Sequence, residues 1–99
     1  MKKDLTHHAA PVTELYAAML MLETPQQVEA FLADLCTPTE IAAMADRWHA
    51  ARLLHQGLSQ RDVATHTGIA LGTVTRVARF LGRGGNGGYL SLLRKGAKA

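Results

Sequence analysis

Cysteine is nearly absent from this sequence: Cys36 stands alone among 99 residues. A lone thiol excludes a disulfide framework or a cysteine zinc site within one chain, and it suits a reducing cytoplasm. Aromatic residues are scarce too, five in all, so a core has to come from Leu, Val, Met and Ala. Long apolar runs are missing. The longest, Leu15–Leu22, is far too short to span a bilayer, and the N-terminal MKKDLTHHAAP lacks the apolar segment of a signal peptide. No HExxH, GxSxG or paired-carboxylate arrangement occurs, so neither an enzyme nor a cofactor is expected. Strand-like alternation is absent as well, as is any internal repeat, and the chain reads as all-α.

What is present describes a folded domain. Apolar residues make up 47% of the chain and charged residues 19%, ordinary proportions for one globular unit. So short a chain cut into helices buries a modest fraction of its surface, which favours association with another copy. Charge is divided along the chain. Residues 1–46 hold two lysines against seven carboxylates, and residues 47–99 hold nine Lys/Arg against Asp62 alone. A basic half beside an acidic half suits a polyanionic partner, although a solvated basic face has the same composition.

Start signals place the helices. After a polar arm over 1–10, expected to be flexible, Val12, Leu15, Tyr16, Met19 and Leu20 recur at helical spacing and predict a helix over about 11–22. Thr24-Pro25-Gln26-Gln27 begins a second, with Val28, Phe31, Leu32 and Leu35 on its apolar face. Thr37-Pro38-Thr39-Glu40 begins a third and longest, which carries Ile41, Met44, Ala45, Trp48, Ala51 and Leu54 and stops near Gly57. Ser59 starts a brief fourth, with Asp62 at the capping-box position. A fifth runs from Ala70 or Leu71 to about Leu81. Gly82–Gly88 reads as a loop, Tyr89, Leu92 and Leu93 as a short sixth helix, and 96–99 as a frayed tail.

The pair of helices around Gly68 carries the strongest pattern. Counting from Gln60, Ala64 is fifth, where crossing helices need a small side chain, and Gly68 is ninth, where the turn needs a left-handed residue. Val63, Ile69, Val74 and Val77 occupy the fourth, tenth, fifteenth and eighteenth places, where apolar residues lock the two helices together. A generic helical hairpin does not require this set; a helix-turn-helix over 59–81 does. The first turn of its second helix offers Ala70, Leu71, Gly72, Thr73 and Thr75: short side chains and no acid, as a helix entering the major groove needs. Arg61, Arg76, Arg79 and Arg83 are placed for phosphates, Arg61 within reach of either groove or backbone.

Three stretches, TPTEIAAMADR, LSQRDVATHTGIALGTVTRV and RFLGRGGNGGY, together resemble the Trp repressor superfamily over about residues 12–95. The glycine-rich end followed by Tyr89 is more similar to its YerC/YecD-type branch than to the tryptophan-sensing repressor. The resemblance implies a six-helix chain (here 11–95), an intertwined homodimer, and double-stranded operator DNA as partner. It also implies an effector pocket between the long helix and the recognition helix, where two arginines flank the ligand's ring and the capping threonine's backbone takes its amino group. Arg47, Arg76 and Thr37 match those positions. Val77 and Phe80 do not, since they stand where the tryptophan-sensing repressor has glycine and serine. A tryptophan corepressor is therefore not expected, and no other effector is identified.

Other readings are weaker. Gly82-Arg83-Gly84-Gly85-Asn86-Gly87 matches GxGxxG, but it follows a helix in an all-α chain, and that motif holds a dinucleotide only between a strand and a helix. His7, His8, His49, His55 and His66 lack a ligand-like spacing, so no metal is expected. The expected function is a cytoplasmic, dimeric, sequence-specific transcriptional regulator, a repressor on a palindromic operator, with no membrane partner. The alternative is a helical interaction module whose basic face binds an acidic protein or RNA.

Overall fold

A computed structural model describes residues 8–98, with side chains through residue 96. Among the described residues it contains six helices and no strand. The chain divides into two compact units, residues 1–37 and 38–99.

In the first unit, α1 spans Ala9–Leu20 and α2 spans Pro25–Leu35. The start of α1 corrects the expected arm: residues 9 and 10 are helical, and 1–7 lie outside the described residues. The physical reason is Pro11. It sits in the first turn, where an N–H has no intrahelical acceptor, so the ring costs no hydrogen bond there. Thr24 caps α2 by accepting from the Gln27 N–H at 3.1 Å, and the Gln27 side chain accepts in turn from the Glu23 N–H at 2.7 Å. Neither helix buries a residue completely. Val12, Leu15, Phe31 and Leu32 are half-buried, whereas Tyr16, Met19, Leu20, Met21, Val28 and Leu35 are exposed.

The second unit holds the core. Helix α3 spans Pro38–His55, α4 Gln60–Thr67, α5 Leu71–Leu81 and α6 Gly88–Lys98. Ala50, Ala51, Val63, Ile69, Val74, Val77 and Leu93 are buried, and Leu53, Leu54, Leu58, Ala64, Leu81 and Tyr89 pack around them. Two alanines in the C-terminal half of α3 let α4 and α5 approach it closely. The small size of this core is set by its residues: its largest fully buried side chains are three valines, each contributing roughly 1.5–3 kcal/mol by burial. The N-terminal half of α3 takes little part in it. Met44, Ala45 and Trp48 are exposed, although the sequence places them on the apolar stripe. Helix α6 is longer than expected and continues through 96–98, so the tail expected to fray from 96 is helical to Lys98.

Candidate functional site

Three residues fix the ends of α4 and the turn that leads into α5. Ser59 accepts from the Asp62 N–H at 3.0 Å and opens α4. Gly68 closes it at φ +77°, with its N–H bonded to the Ala64 carbonyl at 3.0 Å. Left-handed backbone there is open to glycine without a Cβ penalty. Thr67 fastens the reversal: its hydroxyl donates to the Val63 carbonyl at 2.6 Å and accepts from the Ile69 N–H at 3.1 Å. The apolar positions assigned from the sequence meet as expected. Val63, Val74 and Val77 are fully buried or nearly so, Ile69 is 8% exposed, and Ala64 packs beside them.

This packing turns the other face of α5 outward. Ala70, Leu71, Gly72, Thr75, Arg76 and Arg79 are exposed, Thr73 is half-buried, and Arg61 on α4 and Arg83 beyond α5 are exposed. No side chain caps the N-terminus of α5, and its first turn holds no acid. Its leading N–H groups and the positive end of the helix dipole are thus open to an anion. Among the described residues none of these arginines has a carboxylate partner. One exposed residue at this surface was not singled out from the sequence. Gln60, first in α4, accepts a hydrogen bond from the Thr75 hydroxyl at 2.9 Å. No local pattern signals a bond between residues fifteen positions apart.

A cleft of about 580 Å³ lies among α3, α5 and α6, lined by Arg47, Trp48, Arg76, Val77, Phe80, Asn86, Gly88, Tyr89 and Leu92. Arg47, Arg76, Val77 and Phe80 are four of the five residues expected at an effector pocket; Thr37 belongs to the other unit. Val77 is 1% exposed and forms part of the wall. The Arg76 guanidinium lies over the Phe80 ring, 4.8 Å from its centroid. Trp48 and Tyr89 stack at 6.3 Å with an interplanar angle of 26°, which ties α6 to α3. Trp48, Asn86 and Tyr89 were not expected here. Trp48 comes from α3, and Asn86 and Tyr89 reach the cleft through the glycine-rich loop, which turns tightly at the end of α5. The Gly85 N–H bonds to the Gly82 carbonyl at 3.1 Å, and a Cβ on Gly85 would collide with the Phe80 carbonyl oxygen.

Among the described residues, no three of His, Cys, Asp and Glu come together as metal ligands, and no helix is long and apolar enough to cross a membrane.

Comparison with known proteins agrees with this architecture. The family model for the Trp repressor protein matches residues 10–96. The YerC protein of Bacillus subtilis (strain 168) is 33% identical over 81 residues, covering 82% of this chain and 78% of that protein. A TrpR-like protein from Eubacterium eligens superposes with a TM-score of 0.80 at 32% identity, over 92% of this chain and 91% of the other. A candidate Trp repressor from Staphylococcus aureus gives 0.83 at 29% identity, over 95% and 94%. With its six helices, its helix-turn-helix and these relatives, the chain belongs to the Trp repressor family.

Proposed function

We propose that this chain is a sequence-specific transcriptional regulator, a cytoplasmic homodimer that represses by occupying a palindromic operator without tryptophan. The observation that carries the reading is the outward face of α5: an uncapped first turn without an acid, small side chains at Ala70, Gly72 and Thr73, and arginines behind them at 76 and 79. Such a turn fits the major groove closely, and the cations behind it meet the phosphates on either side. Arg61 and Arg83 extend the basic surface. Base discrimination falls to the first turn, and affinity with its salt dependence falls to the arginines.

The dimer is supported by what α1 and α2 leave open. Leu20 is 87% exposed, Met21 73% and Tyr16 60%, and neither helix buries a residue. Helices with apolar faces need something to cover them. A second copy supplies the same faces in return, and its two-fold symmetry matches a palindrome with half-sites about one helical turn apart.

Independence from tryptophan is supported by Phe80, whose ring already occupies the face of Arg76. A second aromatic ring would have to displace it.

The deciding experiment is selection of bound fragments from fragmented genomic DNA, followed by titration on the enriched duplexes at several salt concentrations. Enrichment of a palindromic motif, with affinity that falls as salt rises, supports the reading. Equal affinity for all duplexes, or tighter binding to RNA or acidic protein, rejects it.

A further inference from the structure

We infer that Gln60 contacts DNA directly and that Thr75 is the positioning residue that aims it. The inference rests on the duplex-DNA reading above, and it gives Thr75 a role other than direct base contact.

Gln60 is the first residue of α4 and Thr75 the fifth of α5; both are exposed. The Thr75 hydroxyl donates to Gln60 Oε1 at 2.9 Å and so joins the two helices at their outer surface. The bond has little to do for the fold. Ser59 already caps α4, and the packing of α4 on α5 is carried by the buried valines. An exposed glutamine ordinarily moves among many rotamers, and holding it in one costs side-chain entropy. What the bond achieves is orientation. It directs the carbonyl oxygen toward α5, and among the described residues nothing accepts from the Nε2 amide group.

The chemistry presented is therefore that of a donor. Arg61 beside it, the uncapped N–H groups of α5 and Arg76 after Thr75 are donors too. Asp62, the one acid of the region, lies two positions along α4, and side chains two apart on a helix do not face each other. A free glutamine reads adenine with one donor and one acceptor. With Oε1 engaged by Thr75, Gln60 offers its two N–H groups to an acceptor: a phosphate oxygen, or O6 and N7 of guanine.

The test uses the full-length protein, the tightest duplex from the selection, and duplexes changed at single base pairs. Gln60→Met keeps the length of the side chain and removes the donors; it is expected to weaken binding roughly tenfold. Thr75→Val is expected to weaken it less, Thr75→Ser to restore it, and the Gln60→Met/Thr75→Val double variant to be no weaker than Gln60→Met alone. A loss equal on all duplexes and reproduced by a methylphosphonate at one position identifies a phosphate. A loss confined to one base pair and reproduced by 7-deazaguanine there identifies guanine. Without DNA, the heteronuclear NOE of the Gln60 side-chain amide is expected to fall in Thr75→Val and recover in Thr75→Ser, a change that lost stability alone does not produce. Wild-type affinity and preference in Gln60→Met, summed losses in the double variant, or loss of discrimination at an adenine overturns the inference and leaves the DNA reading standing. A wild-type protein that binds no duplex overturns both.

Discussion

The guanidinium of Arg76 rests 4.8 Å from the centroid of the Phe80 ring, one turn further along α5. Both residues line the cleft between α3, α5 and α6, so the cation on that wall already has an aromatic partner. Such a contact is worth about 0.5–2 kcal/mol, depending on how far it is shielded from water. An incoming indole must displace Phe80 or do without Arg76, and the buried Val77 yields no space behind them. Calorimetry with L-tryptophan is expected to show no micromolar binding, and operator affinity is expected to be the same with and without it. A tryptophan-dependent gain in affinity would show that Phe80 swings aside.

The Thr67 hydroxyl is expected to matter more to stability than its place in a surface turn suggests. It donates to the Val63 carbonyl and accepts from the Ile69 N–H, both partly buried. Thr67→Val keeps the shape and leaves that N–H without a partner, at a cost of roughly 1–3 kcal/mol. Thr67→Ser keeps both bonds and should lose far less. Urea denaturation of the two variants side by side decides it: equal midpoints would mean that water replaces the hydroxyl.

Two glycines should respond differently to alanine. At Gly68 an added Cβ meets nothing within 4 Å, so the cost is that of the left-handed backbone alone, about 1–2 kcal/mol. At Gly85 the Cβ collides with the backbone of Phe80, and the loop has to move. Gly85→Ala is therefore expected to disturb the cleft as well as the melting temperature. Its signature is a change in the fluorescence of Trp48, stacked on Tyr89 at the start of α6; Gly68→Ala should leave that fluorescence unchanged.

The helix-turn-helix was legible because its requirements are local and steric. A small Ala64, a left-handed Gly68 and four apolar positions meet those requirements at fixed spacing, and all six residues take the expected places. Start signals were legible for the same reason: Thr24 and Ser59 each cap the helix they precede. What could not be read depends on distant parts of the chain. The Gln60–Thr75 bond spans fifteen residues. Tyr89 and Asn86 reach the cleft only because the glycine-rich loop folds back on α5. Periodicity placed Met44 and Trp48 on an inward stripe, yet this chain leaves them exposed. Spacing marks a face as apolar without identifying what covers it.

That uncovered surface leads to a test of assembly. With Tyr16, Leu20, Met21 and Leu35 exposed and a core whose largest fully buried side chains are valines, the fold is expected to depend on a second copy. The melting temperature should then rise with protein concentration, as mass action requires when only the dimer is stable. Leu20→Asp should raise the concentration needed for folding. A monomeric mass by light scattering, together with a melt independent of dilution, would count against the dimer.

The division of labour along α5 is separable by salt. Arg79 is exposed in the last turn, away from the uncapped end, and Thr73 is half-buried within the first turn. A cation on a phosphate releases counterions, so Arg79→Ala is expected to weaken every duplex by a similar factor and to lower the slope of log affinity against log salt by about 1. A neutral hydroxyl releases none. Thr73→Ala is expected to leave the slope unchanged and to alter the order of preference among duplexes, at roughly 1–3 kcal/mol for each lost base contact. The two variants, titrated on the same panel at several salt concentrations, distinguish a groove-reading first turn from a helix that only lies along the backbone. If Thr73→Ala keeps the wild-type order of preference and Arg79→Ala changes it, the helix enters the groove by its other end.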